Sequence, residues 1–495
     1  MNTQIRRLGI GLLACYMALF VMLNWVQFFH KDQLDNNALN TLKVKQDFNK
    51  PRGTISSADG ALLAESVDVA GSSQFKRQRT YPEGDLFAQL TGYYSFSFGS
   101  TGVESTYNDQ LAGQTIGQQI RGFADLLNPR PQVGNVTLTV RKDLQQVAKD
   151  ALGNRDGSVV ALDPKTGAIL AFWSYPSFDP NRLSTNDTEA ADTARALLTL
   201  APGQPLRAHQ YQERYFPGST FKVVTGSTGV QSGTVTVDAP SYPVATSYTP
   251  PQTKKSISNF GGESCGGTLV EILRVSCNSA FAEMGTETIG PDKMIAGAQS
   301  FGFNTKPPID LPAPVASAFP TDFTRNLPAL AQASIGQNDV QATPLEMALV
   351  AAGIANGGVI MKPHVMSDVR DSEGSVIQRY GVGPWLQPLS ADSAATMKAA
   401  MLDVVARGTA TRMQIAGYEV GGKTGTAQLG TDPPQSHTWI MGFAGPPGDP
   451  KIAISVVVLN QPGVNEATGG VVAAPIAKQV MQAYLDDLAA GRAGN

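Results

Sequence analysis

From Leu8 to Phe29 the chain runs without a charged residue, just after Arg6 and Arg7. At ~1.5 Å per residue such a helix crosses the ~30 Å hydrocarbon core of a bilayer. The pattern therefore predicts one transmembrane helix. A removable signal would have a shorter apolar core and a small-residue exit. Here the exit is Asn24-Trp25-Val26-Gln27-Phe28-Phe29-His30-Lys31, whose aromatics suit a membrane interface, so the helix is expected to stay as an anchor. The two arginines favour a cytoplasmic N-terminus, with Lys31 as a counterweight on the far side. No second apolar span follows, which places the rest of the chain outside the cytoplasm. Asn24 and Gln27 either meet interfacial water or face a partner in the membrane.

Past a polar stretch, Lys31 to Phe48, read as a stalk, the periodicity changes to that of short strands. Asp59-Gly60 between apolar runs signals a hairpin. Asn128-Pro129-Arg130-Pro131-Gln132 reads as a connector, Val136–Val140 as a strand and Asp143–Leu152 as a helix. Ser158–Leu162 and Ala168–Trp173 flank Asp163-Pro164-Lys165-Thr166-Gly167, a second hairpin. Further strands are expected at Tyr418–Gln428, Thr438–Phe443 and Ile452–Leu459. A last helix at Val471–Ala490 carries an apolar face that would pack on them. Strands at both ends with helices between predict an α+β domain whose sheet unites distant parts of the chain. The expected division is an anchor over 1–30, a β-rich segment over 31–155 and a main domain over 156–491.

Composition narrows the partners. The formal net charge of -3 argues against nucleic acid as a partner, and the four histidines, scattered along the chain, give no metal-ligand spacing. No cofactor or metal is expected. Cys15 lies in the anchor, leaving Cys265 and Cys277 as an even pair in an oxidising compartment. A disulfide and two buried thiols both remain open for that pair.

Chemistry is concentrated in three stretches. Ser219 follows the turn Pro217-Gly218 at the start of a predicted helix, with Lys222 three positions on, on the same face. A serine needs an adjacent base to act as nucleophile. A lysine can be that base only where burial and the helix N-terminus lower its pKa, and Phe221, Val223 and Val224 would supply burial. Ser276-Cys277-Asn278 and Lys423-Thr424-Gly425-Thr426 follow downstream. The stretch Gly417 to Thr424 also fits a phosphate-binding loop, but such a loop needs a helix opening at its Lys-Thr, whereas Gly425–Gln428 continues as a strand.

Taken together, Ser-x-x-Lys, Ser-x-Asn and Lys-Thr-Gly in this order resemble penicillin-binding proteins and serine β-lactamases. Arg52-Gly53-Thr54-Ile55, Arg79-Thr80-Tyr81-Pro82 and Gly102-Val103-Glu104 further resemble the pedestal of class B penicillin-binding proteins, and the length resembles the short actinobacterial, division-associated type. The resemblance implies a five-stranded antiparallel sheet with a helical subdomain, a non-catalytic docking or dimerisation pedestal, and D,D-transpeptidase activity on peptidoglycan stem peptides ending in D-Ala-D-Ala. It implies that Ser219 is the nucleophile and Lys222 its base. Ser276 would pass a proton to the leaving D-alanine, Asn278 would hold the substrate amide and Lys222, and Lys423 would keep the site positive. Thr424, Gly425 and Thr426 would bind substrate, with the backbone N–H groups of Ser219 and Thr426 as oxyanion hole. Implied partners are β-lactams, the membrane, a polytopic glycan polymerase and other wall-synthesis proteins. Two departures stand out: cysteine occupies the middle of Ser-x-Asn, and no general-base glutamate of class A β-lactamases is found. Alternatives are a D,D-carboxypeptidase, an anchored β-lactamase, and a β-lactam sensor or inactive scaffold.

Overall fold

The computed structural model describes residues 2–29, 48–69, 74–115, 118, 133–463 and 467–492. The expected stalk, except Phe48, and the expected connector at 128–132 lie outside the described residues. The chain divides into two compact units, Met1–Pro51 with Val67–Gln78, and Arg52–Ser66 with Arg79–Asn495.

The first unit holds α1 (Asn2–Phe29). Among the described residues, its segment Thr3–Trp25 is the one helix long and apolar enough to cross a membrane. The Asn24 amide donates to the Phe20 carbonyl at 2.8 Å, so the helix satisfies part of that polar group internally. Elsewhere in this unit Phe48 packs edge-on against Phe75 at 5.4 Å between ring centroids.

In the second unit, β1 (Ile55–Ser56) and the first half of β2 (Leu62–Asp68) form the hairpin read from Asp59-Gly60. Gly60 turns the chain at φ +82°, where a side chain is disfavoured. β3 (Asn135–Leu138) pairs parallel with β1. The Asp59 carboxylate accepts from the Lys142 and Asp143 N–H groups at 2.9 and 3.2 Å, capping α2 (Lys142–Leu152) from outside the helix. β4 (Gly157–Leu162) and β5 (Ile169–Tyr175) come next. A helical stretch follows that includes α3 (Lys222–Gln231), α4 (Leu269–Arg274), α5 (Asn278–Glu283) and α6 (Pro344–Ala355). Then β6 (Met366–Arg370) and β7 (Val376–Arg379) return to the N-terminal strands, with Met366 opposite Leu138 and Arg370 opposite Asn135. The chain ends through α7 (Ala391–Arg407), β8 (Glu419–Gln428), β9 (Gln435–Gly445), β10 (Ile452–Pro462) and α8 (Gly469–Ala489).

The central sheet has the order β8-β9-β10-β4-β5 and is antiparallel throughout. Late strand β10 lies beside early strand β4, as the α+β reading requires. All six residues of β4 are buried, so both faces of the sheet are covered, and α6 and α8 each pack on β9 and β10. α6 is buried at nearly every position, as its all-round apolar sequence demands. Thr343 caps it by accepting the Glu346 N–H at 3.0 Å, and Pro344 opens it. β8 is left at the edge of the sheet.

The N-terminal strands have their own polar centre. The Glu104 carboxylate takes Arg52 at 2.7 Å and Arg79 at 2.6 Å, and Arg79 also donates to the Gly53 carbonyl at 2.7 Å. Burial alone would raise the Glu104 carboxyl, but the two guanidiniums outweigh it and hold it below the usual range. These are residues by which the sequence resembles a pedestal, and their work here is to cross-brace segments from three places in the chain.

Candidate active site

The Ser219 turn is built by constraint from two sides. Gly218 adopts φ +54°, Gly218–Phe221 form a single 3-10 turn, and α3 proper starts at Lys222. The Phe221 ring stacks on Phe319 at 5.3 Å and meets Phe303 edge-on at 5.2 Å, which anchors the turn in the core. The Trp439 indole of β9 donates to the Phe216 carbonyl at 3.0 Å, and the Gly218 N–H donates to the Gly336 carbonyl at 3.0 Å. β8 runs directly against this turn. A Cβ on Gly425 would stand 2.8 Å from the Pro217 carbonyl oxygen and 3.0 Å from Thr220 Cγ2. Packing of the Ser219 turn on β8 therefore leaves no room for a side chain at position 425.

Ser276 is placed by the end of α4. The Cys277 N–H donates to the Ile272 carbonyl at 2.8 Å and the Ser276 N–H to Leu273 at 3.2 Å, the paired bonds of a Schellman turn. Such a turn normally has glycine at its left-handed position; here Ser276 occupies it at φ +62°. A serine held in that region costs about 1 kcal/mol or more, and it persists because its neighbours fix it. Cys277 is joined to Cys265 by a disulfide with 5.8 Å between Cα atoms, and Asn278 begins α5.

Lys222 and Lys423 converge on this serine. Lys222 Nζ lies 2.6 Å from the Ser276 carbonyl oxygen, 2.6 Å from Asn278 Oδ1 and 3.2 Å from Ser276 Oγ. Lys423 Nζ lies 2.8 Å from the same Oγ and 2.9 Å from the Thr424 carbonyl. Both lysines are fully buried, and among the described residues neither has an ion-pair partner. Burial, and then the charge of Lys423, pushes the Lys222 amine well below its ordinary value. Burial lowers Lys423 to about 7. The two shortest contacts of Lys222 are both to acceptors, so a neutral amine spends its two N–H groups there and keeps its lone pair. That lone pair is what a general base needs.

A cavity of about 750 Å³ opens in front of these groups. Ser219, Ser276, Asn278, Thr424 and Thr426 line it, whereas Lys222 and Lys423 sit buried behind the wall and Gly425 contributes none of it. Among the described residues, no lining side chain is charged. The sequence reading missed several wall residues, among them Thr409, Ser258 and Phe260. Lys423-Thr424 lies inside β8 with no helix opening there, which removes the phosphate-loop alternative.

A half-buried serine opening a helix, two buried lysines meeting on a second serine, and an edge strand bordering the cavity define a serine acyltransferase with the penicillin-binding fold. The chain belongs to the penicillin-binding proteins: residues 157–482 match the penicillin-binding protein transpeptidase domain, and residues 52–136 match the penicillin-binding protein A dimerisation domain. It is 38% identical to the peptidoglycan D,D-transpeptidase PbpA of Mycolicibacterium smegmatis, over 98% of this chain and 99% of that protein. To PbpA of Mycobacterium tuberculosis it is 35% identical, over 98% and 99%. The solved structure of penicillin-binding protein A from M. tuberculosis, as a ceftriaxone acyl-enzyme complex, superposes with a TM-score of 0.82 at 34% identity, covering 89% of this chain and 100% of that one.

Proposed function

We propose that this chain is a membrane-anchored D,D-transpeptidase that cross-links peptidoglycan stem peptides and is acylated by β-lactams. The observation that carries the reading is the buried Lys222 amine, with two acceptors on its N–H groups and its pKa lowered by burial and by Lys423. In the proposed reaction Ser219 Oγ attacks the carbonyl between the two terminal D-alanines and Lys222 takes the serine proton. As the C–N bond breaks, Ser276, bridging the two lysines, delivers a proton to the departing D-alanine nitrogen. The product is a Ser219 ester. An amine of a second stem peptide then attacks that ester, forms the cross-link amide, and Ser219 recovers its proton. Asn278 orients Lys222 and the substrate amide. Lys423 keeps the site positive, the Thr424 and Thr426 hydroxyls meet the donor carboxylate, and the Ser219 and Thr426 N–H groups stabilise the tetrahedral oxyanion.

In this reading α1 holds the protein in the membrane with its N-terminus cytoplasmic. Residues 31–155 serve as a pedestal for docking or dimerisation, and 156–491 carry the reaction outside the cytoplasm. A polytopic glycan polymerase is the proposed partner, in cell division or wall growth.

The test is acylation of the full chain, in detergent, by a labelled penicillin, with Ser219→Ala alongside. A stable one-to-one adduct that disappears in the variant is expected. An adduct that clears within seconds would point instead to β-lactam hydrolysis, and no adduct on folded protein would remove Ser219 as nucleophile.

A further inference from the structure

Thr409 lies in none of the three motifs, yet it enters the site from the loop after α7. Its Oγ1 is 2.7 Å from Thr424 Oγ1, and both residues line the cavity. The loop is held on two sides. The Thr409 N–H donates to the Arg274 carbonyl at 3.3 Å, two residues before Ser276. A Cβ on Gly408 would stand 2.5 Å from that same Arg274 oxygen, and one on Gly470 would stand 2.4 Å from the Thr409 carbonyl oxygen. Thr409 is thus wedged between the end of α4 and the start of α8, facing β8.

Among the described residues the lining contains no charged side chain, and Lys423 points its amine at Ser276 Oγ and the Thr424 carbonyl. A carboxylate entering the cavity must therefore be met by neutral donors. Thr426 Oγ1 accepts from the Gly469 N–H at 3.4 Å, which leaves its own proton to give outward. The Thr409–Thr424 pair holds two protons, one spent within the pair. Whichever hydroxyl donates inside the pair, one proton remains for the cavity, polarised by the bond behind it.

We infer that Thr409 is a positioning residue whose hydroxyl, bonded to Thr424, sets the donor that recognises the terminal carboxylate of the acyl donor. This rests on the transpeptidase reading above. The ligand chemistry is a peptide ending in a free carboxylate, as against one ending in a neutral group.

The test uses the full chain in detergent and two thioester acyl donors that differ only at the leaving end, a free carboxylate or its primary amide. In Thr409→Val the second-order acylation rate with the carboxylate donor should fall about 3- to 10-fold, while the amide donor changes less than about twofold. Thr409→Ser, which keeps the hydroxyl, should stay near wild type with both. Thr409→Ala is carried in parallel, with the same expectation as valine, in case the valine variant does not fold. In a Thr424→Val background, Thr409→Val should add nothing further. Equal losses with both donors, a serine variant as impaired as valine, or additive losses in the double variant would each overturn the assignment. Wild-type protein that gives no Ser219 adduct with either donor would instead overturn the transpeptidase reading; wild type that reacts, with an unchanged donor ratio in T409V, sinks only the role of Thr409.

Discussion

Replacing Lys423 by methionine removes a charge and leaves a side chain of similar length, and the geometry sets the size of the effect. The amines of Lys222 and Lys423 approach one hydroxyl at 3.2 and 2.8 Å, so they stand no farther apart than those two lengths laid end to end. Two unit charges ~6 Å apart at an effective dielectric of about 20 repel by roughly 3 kcal/mol, or ~2 pKa units. Lys222 is the amine that must be neutral to act as base, and burial and then the charge of Lys423 hold it well below its ordinary value. In the wild type, acylation should therefore rise with pH as Lys222 loses its proton, and a separate limb near 7 should mark loss of the Lys423 proton. In K423M the acid limb should move up by as much as ~2 units and the limb near neutrality should vanish. The assay is the second-order rate of acylation by a labelled penicillin across pH, on both proteins. An acid limb that stays within a few tenths of a unit of wild type would refute the electrostatic coupling, whatever happens to the maximum rate.

Burial also pushes the Glu346 carboxyl in α6 up to about 8, against 4.5 unperturbed. A folded value above the unfolded one means that the neutral acid stabilises the fold, fully so below pH ~4.5, and that this contribution is lost as pH rises toward 8. Glu346→Gln does not titrate, so its melting temperature should gain on wild type across that window, approaching about 4–5 kcal/mol of relative stability, and a pH-independent difference would contradict this. Gly425→Ala places a methyl against the Pro217 carbonyl and Thr220. It should slow penicillin acylation by roughly ten- to a hundredfold through displacement of the Ser219 turn, at a stability loss of only about 1–3 kcal/mol. Wild-type acylation in that variant would show that the turn and β8 can separate harmlessly.

The short apolar runs at Ser158–Leu162, Ala168–Trp173 and Ile452–Leu459 were enough to read β4, β5 and β10, because strands buried in a sheet declare themselves locally. The apolar run at 8–29 likewise gave the membrane-length helix. What depended on distant contacts stayed hidden. Ser276 was read as a site residue, but its backbone was not, since nothing nearby marks a non-glycine residue for φ +62°. The glycine at 425 was seen, but not its packing, because the Pro217 carbonyl that crowds it lies about two hundred positions earlier. Thr409 gave no sign beyond the glycine before it. Its importance comes from Thr424, Arg274 and Gly470 meeting in space.

The pairing of β3 with β6 carries a consequence for the order in which the protein takes shape. β1, β2 and β3 are made early, but the strand that closes β3 on its open side is Met366–Arg370, some two hundred residues later. A chain synthesised N-terminus first therefore carries an uncovered strand edge through most of its biogenesis, with the loop-closure entropy of a very distant contact still to be met. Ordering of β1 and β3 is thereby tied to completion of the helical stretch beyond Ser219. Truncations between the two strands should leave an adhesive edge, not a small finished domain, and slow release or chaperone dependence would be concentrated in that interval.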